Sequence, residues 1–154
     1  MAKFELGIVL PNMQFGPAMT TARRPEIRAM AIRAEQICFD TIWVADELLW
    51  RMEQGPPRGC WDGVSLAGAV AAVTSTAKVG SWVLSALHRN PAIIAKTAET
   101  LDEISGGRVI LGLLEQRRRD PPQFRGAHAW HLSRERSPVD QPIRLRIAAD
   151  DFGG

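Results

Sequence analysis

The sequence has no tyrosine, only two cysteines and three histidines, and no long apolar run among its 154 residues. A membrane-spanning helix needs about 20 apolar residues, and the N-terminus lacks the apolar core of a secretion signal. Cys38 and Cys60 do not form a Cys-x-x-Cys pair, and His128 and His131 lack a third ligand at metal-binding spacing. These absences predict a cytoplasmic protein with no membrane partner and no metal site.

Lysine is absent from residues 114–154, although eight of the 16 arginines lie there beside six acidic residues. Residues 1–113 are balanced, with 11 basic and 11 acidic side chains. This change of composition predicts a folded domain over residues 1–113 and a poorly packed, Arg- and Pro-rich tail over residues 114–154, either divergent or translated out of frame. Residues 117–119 are a run of arginines, but no aromatic-interleaved basic surface accompanies them, so no nucleic-acid partner is predicted.

Four strand-like runs, which start at residues 4, 41, 78 and 108, alternate with three helix-like stretches. Alternation at this spacing predicts parallel strands joined by right-handed crossover helices. Two α/β architectures remain open at this point, an open doubly wound sheet and part of a (β/α)₈ barrel. The turn over residues 11–16 holds a single glycine, so the glycine-rich fingerprint of a dinucleotide-binding sheet is weak.

Local signals mark the ends of the three predicted helices. Pro25 suits the first turn of one helix, Asp62 can cap the second, and Asn90 followed by Pro91 begins the third. Residues 106–107 are a glycine pair that ends the third helix. The apolar stripe of the first helix is predicted to comprise Ile27, Met30, Ala31, Ala34 and Ile37, and that of the third includes Ile94, Ala98, Leu101 and Ile104.

Two adjacent carboxylates, Asp46 and Glu47, follow the uncharged strand over residues 41–45. In parallel α/β folds, catalytic and ligand-binding residues lie at the carboxyl ends of the strands. The pair is therefore a candidate site, with a loop-capping role for Asp46 as the alternative.

Residues 39–50, 58–61, 66–76, 89–92 and 101–113 resemble the bacterial luciferase-like flavin-dependent oxidoreductases. The most specific piece is Thr-x-Asp-Glu-Ile-Ser-Gly-Gly-Arg from Thr100, followed by an apolar strand. The resemblance covers residues 4–113 and implies the first half of a TIM-type (β/α)₈ barrel. It further implies an oxidoreductase or monooxygenase that uses FMN or coenzyme F420 on a small-molecule substrate, and that is truncated here. The alternative is a non-catalytic half-barrel that binds no flavin.

The resemblance also implies site residues, because the family's flavin lies across the carboxyl ends of the strands. The matching cofactor-binding positions are Pro11 and Asn12, Asp46, and the pair Ser85 and Ala86, where the family often has a non-prolyl cis peptide. The catalytic candidates are Asp46 and Glu47. Relatives commonly carry Asp-His at these two positions, so Glu47 could transfer protons only if burial raised its pKa.

Two expectations follow from the half-barrel itself. Its exposed sheet edges and apolar interior face predict a homo-oligomer. Trp50 and Trp61, which flank the long loop after the second strand, could wall a substrate pocket, although simple packing is the commoner role of aromatic side chains.

Overall fold

The protein is described by a computed structural model that covers residues 4–14, 20–47, 58–114 and 127–130. Its elements in chain order are β1 Gly7–Val9, α1 Arg24–Gln36, β2 Thr41–Val44, α2 Gly63–Val73, β3 Lys78–Ser81, β4 Leu84–Ser85, a short 3-10 turn Ala86–His88, α3 Pro91–Ser105, β5 Val109–Leu114 and β6 Ala127–Trp130. None of the helices within these ranges is long and apolar enough to cross a membrane.

The sheet has its main strands side by side in chain order, β1-β2-β3-β5, and all three pairings are parallel. The registers pair Gly7 with Thr41, Thr41 with Lys78, and Val79 with Val109. The predicted parallel strands are confirmed. A doubly wound sheet reverses its strand order at a switch point, whereas a barrel adds each strand next to the previous one. The sequential order therefore decides between the two architectures, and the chain forms an arc of a (β/α)₈ barrel.

Two features of the sheet differ from the prediction. The run over residues 78–84, predicted as one strand, is two strands, because the chain leaves the sheet after Ser81 and rejoins β5 at Leu84. The tail contributes β6, which pairs antiparallel with residues 111–114 of β5 and was not predicted as a strand. The rest of the predicted tail, residues 115–126 and 131–154, lies outside the described residues, so its poor packing stays a prediction.

The predicted helix ends are confirmed by their hydrogen bonds. The Asn90 side chain accepts a bond from the Ala92 amide at 2.8 Å, and the Asp62 side chain accepts one from the Ser65 amide at 2.7 Å. Gly106 ends α3 in the left-handed region at φ 69°, which glycine adopts without steric cost.

The core lies between the sheet and its three helices. It comprises Leu10, Ile27, Ala31, Ala34, Ile42, Val44, Ala67, Val70, Ala71, Ala77, Val79, Leu101 and Val109. Three residues predicted in the helical stripes, Met30, Ile37 and Ile104, are instead exposed, because they lie at the margin of the face that meets the sheet.

The opposite face of the sheet, which would face the barrel interior, is covered in part by Trp43. Side chains alternate along β2, so Trp43 points away from the helices that Ile42 and Val44 contact. Its indole lies over Gly7 on β1 and Gly80 on β3, where a Cβ atom would overlap the ring. A bulky residue of one strand thus fills the space left by glycines on its two neighbours.

The amino ends of the strands are tied together by Arg108, the arginine of the most specific family-like motif. Its guanidinium donates to the carbonyls of Ala71, Thr74 and Ser105 at 3.0, 2.9 and 2.7 Å. These carbonyls belong to the last turns of α2 and α3, where helical carbonyls lack intrahelical partners. The motif therefore has a structural role at the end of the arc opposite to the candidate site.

Glu35 fastens α1 to the loop before β3. Its Oε1 accepts bonds from the Ser75, Thr76 and Ala77 amides at 2.8, 2.7 and 2.9 Å, and from the Thr76 hydroxyl at 3.1 Å. Burial alone would raise the pKa of Glu35, but these bonds outweigh it and lower the pKa to about 2.

Glu35→Gln should lower the free energy of unfolding at pH 7 by about 1 kcal/mol, because neutral acceptors form weaker bonds than carboxylates. The pKa is depressed in the folded state, so the carboxylate contributes fully above pH 4.5 and its contribution is lost as the pH falls towards 2. Urea unfolding at pH 7, 5, 4 and 3 should show the difference between variant and wild type shrinking. A difference that does not change with pH would contradict the ionic origin.

Candidate functional site

Asp46, directly after β2, is the centre of a buried ion cluster. Its side chain is 5% exposed and forms a two-pronged ion pair with Arg89, whose Nη2 lies 2.9 Å from Oδ1 and whose Nη1 contacts Oδ2. Oδ2 also accepts a bond from the Ser85 amide at 3.1 Å, and Oδ1 accepts one from the Gly63 amide at 3.2 Å. Asp46 therefore joins the carboxyl end of β2 to β4 and to the start of α2.

Asp62 extends this cluster to three charged residues, which we call the carboxyl-end ion cluster (Asp46, Asp62 and Arg89). Arg89 Nη2 lies 2.8 Å from Asp62 Oδ1. Burial would raise the pKa of Asp62, but the bonds from Ser65 and the charge of Arg89 lower it. The hydrogen bond to Asp46 is the main reason that the pKa of Arg89 is raised. The cluster thus favours the charged forms of Asp62 and Arg89.

Asn12, after β1, is fully buried and ties the first strand to the second. Its Nδ2 donates to the Ala45 carbonyl at 2.7 Å and to the Trp61 carbonyl at 3.2 Å, and its Oδ1 accepts from the Ala45 amide at 3.3 Å. Pro11, its neighbour, is half-buried. The predicted site residues Asn12, Asp46 and Ser85 do lie at one end of the arc. Their polar contacts are to the protein, so direct contact with a cofactor stays a prediction.

The expected non-prolyl cis peptide is present, but between Trp82 and Val83 rather than at Ser85 and Ala86. The displaced position follows from the break between β3 and β4. The Ser81 hydroxyl donates to the Gly112 carbonyl at 2.9 Å and accepts from the Gly112 amide at 3.0 Å, so it replaces a backbone partner where the chain leaves the sheet.

This bulge presents Trp82 at the carboxyl ends of the strands. Its indole is 58% exposed, and its backbone amide donates to the Val44 carbonyl at 2.7 Å. The side chains of Val83 and Ala86 next to it are half-buried. Trp82, Val83 and Ala86 therefore contribute apolar accessible surface at this end.

Glu47 and His88 are exposed titratable residues that adjoin Asp46 and Arg89 of the ion cluster in sequence. Burial of its carboxyl group raises the pKa of Glu47, the charge of Asp46 adds to that rise, and the charge of His88 opposes it. Within the described residues no hydrogen bond engages the Glu47 carboxylate. Asp46, in contrast, is engaged by Arg89 and by two backbone amides.

The sequence analysis missed Arg89 as a site residue, along with His88 and Trp82. Arg89 was noted only as the first residue of the family-like run over residues 89–92, and its partner Asp46 is 43 positions away. Of the two predicted pocket tryptophans, Trp61 donates its Nε1–H to the Ala22 carbonyl at 2.9 Å, and Trp50 lies outside the described residues.

Comparisons with known proteins show what this chain is similar to. The sequence profile of the luciferase-like monooxygenases matches residues 4–138, past the composition change at residue 113. The F420-dependent glucose-6-phosphate dehydrogenase of Amycolatopsis mediterranei (strain U-32) is 38% identical over 102 residues, which are 65% of this chain and 28% of the relative. The 5,10-methylenetetrahydromethanopterin reductase of Methanolobus tindarius is 39% identical over 80 residues, which are 52% of this chain and 22% of the relative.

Among solved structures, an F420-dependent secondary alcohol dehydrogenase in complex with an F420–acetone adduct matches with a TM-score of 0.59 and 25% identity, over 73% of this chain and 32% of that protein. The chain therefore spans about a third or less of the length of these relatives. Because the family profile covers most of the sequence and the strand order is that of a barrel, the chain belongs to the luciferase-like monooxygenase family.

Proposed function

We propose that this chain is part of an F420-dependent oxidoreductase that transfers a hydride between the deazaflavin and a small-molecule substrate. One observation carries the proposal: polar residues at the carboxyl ends of three strands lie at one end of a barrel arc. Asn12 follows β1, Asp46 and Glu47 follow β2, and Ser85 ends β4. Two relatives with F420 in their names are dehydrogenases, which supports a substrate with a carbon-bound hydroxyl group.

The accessible residues at this end fit a planar cofactor. Pro11, Trp82, Val83 and Ala86 are partly exposed apolar residues near the carboxyl ends of β1, β3 and β4, and Glu47 follows β2 at the same end. Binding sites for small molecules typically combine such an apolar lining with a few polar groups. These residues would hold the ring, while the ion cluster fixes the backbone that carries them. When bound, the deazaflavin would supply two-electron hydride chemistry, and the protein would supply orientation and proton handling.

FMN and the absence of any cofactor are the two competing outcomes. Binding of FMN in preference to F420 would favour a monooxygenase function. A non-catalytic half-barrel that binds no flavin is the second alternative. The predicted self-association and cytoplasmic location stay predictions.

A fluorescence titration of F420 and, separately, of FMN tests the proposal directly. F420 should bind more tightly than FMN, and Trp82→Ala should weaken F420 binding roughly fivefold, since an aromatic contact contributes about 0.5–1.5 kcal/mol. Phe4→Ala is the matched control, because Phe4 is also an exposed aromatic residue but precedes β1, at the opposite end of the arc. Tighter binding of FMN would favour a flavin monooxygenase, and binding of neither would favour the non-catalytic fragment.

A further inference from the structure

The two edges of the sheet differ in the part of the chain that the structure describes. At one edge, β6 pairs antiparallel with residues 111–114 of β5. A parallel barrel would add its next strand at that edge, which β6 already occupies. At the other edge, β1 pairs with β2 and with no further described strand. Among the described strands, β1 therefore forms the open edge.

The backbone groups of β1 are divided between β2 and the open edge. The Leu6 carbonyl accepts from a β2 amide at 3.1 Å, and the Leu10 amide donates to a β2 carbonyl at 2.9 Å. Alternate residues of a strand direct their amides and carbonyls to the same neighbour. The amides and carbonyls of Gly7 and Val9 therefore point away from β2. Such a row of backbone groups is a template for pairing with another strand.

The side chains beside this edge are apolar and accessible. Phe4, Leu6 and Val9 are 83%, 48% and 39% exposed. Natural sheet edges are commonly protected against pairing by charged side chains, prolines or bulges. Residues 6–10 contain no charged residue and no proline, and the preceding Glu5 is paired with Lys78 at 3.0 Å. The sequence of β1 thus favours strand pairing at this edge.

We propose that β1 is a dimerisation edge, which pairs antiparallel with β1 of a second copy of this chain about a two-fold axis at Gly7. Head-to-tail pairing of β1 with β5 of another copy is blocked, because β6 occupies that edge of β5. A two-fold interface uses the same surface on both subunits, so a single open edge on each copy is sufficient.

The position of the axis follows from the residues that face the open edge. An axis at Glu5 would place two carboxylates opposite each other, and an axis at Val9 would bring in Pro11, which has no amide. With the axis at Gly7, Val9 lies opposite Glu5 of the second copy, and each such pair exchanges two hydrogen bonds. The two Glu5 residues are then about 14 Å apart along the strands. This separation exceeds the Debye length of about 8 Å, so their repulsion is screened.

This pairing also covers apolar surface and leaves the candidate site open. Ile8 packs against the core on the face that carries the helices, and Leu6 shares that face because side chains alternate along a strand. Leu6 would therefore contact Ile8 of the second copy. Since the two strands are antiparallel, the carboxyl ends of the two arcs point in opposite directions. Dimerisation is thus independent of cofactor binding at those ends.

Sedimentation velocity of the full chain tests the edge. The wild type should form a dimer at micromolar concentration. Val9→Pro removes an amide that faces away from β2, and proline is tolerated in edge strands. Because two hydrogen bonds per dimer are lost, its dissociation constant should rise roughly tenfold or more. Leu6→Lys keeps the backbone unchanged and should also weaken the dimer, because it places a charge at the interface of each copy.

Ile93→Lys is the matched control, since Ile93 is 59% exposed but lies on α3. Its dimer should dissociate as the wild type does, and a cooperative urea transition shows that each variant is folded. A monomeric wild type, with the edge covered by other residues of the same chain, would overturn the proposal. A dimer that tolerates both Val9→Pro and Leu6→Lys, or that Ile93→Lys weakens equally, would also overturn it.

Disulfide cross-linking tests the register, in a background that carries Cys38→Ser and Cys60→Ser. Residues of a hydrogen-bonded antiparallel pair have Cα atoms about 5.5 Å apart, which is within disulfide range. The variant with both Glu5→Cys and Val9→Cys should therefore oxidise to a covalent dimer. Glu5→Cys alone should stay uncross-linked. Cross-linking of Glu5→Cys alone, or none in the variant with both cysteines, would overturn the two-fold pairing at Gly7.

Discussion

Arg89→Met should lower the free energy of unfolding by about 3 kcal/mol, since removal of one partner leaves a buried charge uncompensated. Asp46 would keep the bonds from the Ser85 and Gly63 amides but lose both contacts to the guanidinium. Its side chain is 5% exposed, so water has little access to replace them. The Arg89 side chain is 19% exposed, which sets the expectation at the lower end of the usual range for buried pairs. Urea unfolding followed by tryptophan fluorescence measures the change.

Lys96→Met is the matched control, because it breaks the Lys96–Glu99 pair, whose side chains are 74% and 51% exposed. Exposed pairs of this spacing contribute about 0.3–0.5 kcal/mol. The double variant Arg89→Met/Asp46→Asn should be more stable than Arg89→Met alone, because it no longer buries an unpaired charge. A loss below about 1 kcal/mol in Arg89→Met would mean that water reaches the cluster freely.

The elements that the sequence predicted well are those with local causes. Asn90 and Pro91 begin α3 and Gly106 ends it, because caps depend on residues within a few positions of each other. The gathering of Asn12 and Asp46 at one end of the sheet was also predictable, since parallel strands joined by helices all carry their carboxyl ends on the same side.

The features that could not be predicted depend on contacts distant in sequence. The run over residues 78–84 is apolar almost throughout, and its break is marked only by the Ser81 hydroxyl meeting Gly112, 31 positions away. In the same way, nothing near Asp46 indicates that Arg89 engages both of its oxygens. Periodicity places a carboxylate at a strand end but cannot tell whether that carboxylate is satisfied by the protein or offered to a ligand. For Asp46 the structure makes that distinction, because Arg89 and two backbone amides engage its oxygens.

The covering of the interior face by Trp43 is another such distant contact, and it predicts a strong effect at a glycine. Gly80→Ala should lower the free energy of unfolding by about 2 kcal/mol, because a Cβ there would overlap the indole. The ring has little room to move towards β1, because its other edge already lies against the backbone of Gly7. Thermal or urea unfolding of the variant measures the cost.

Gly68→Ala is the matched control for Gly80→Ala. A Cβ at Gly68 would lie 3.5 Å from Leu101 Cδ2, an ordinary contact, and alanine is favoured over glycine in a helix by about 0.8–1.0 kcal/mol. This variant should therefore be no less stable than the wild type.

In the double variant Gly80→Ala/Trp43→Leu the overlap is gone. Its loss of free energy of unfolding should therefore be smaller than the sum of the two single losses by about 1–2 kcal/mol. Strictly additive losses would mean that Trp43 does not occupy the space above Gly80. Because (β/α)₈ barrels fill their interior in layers from alternate strands, a measured coupling would identify Trp43 of β2 as a layer residue whose neighbours on β1 and β3 must stay small.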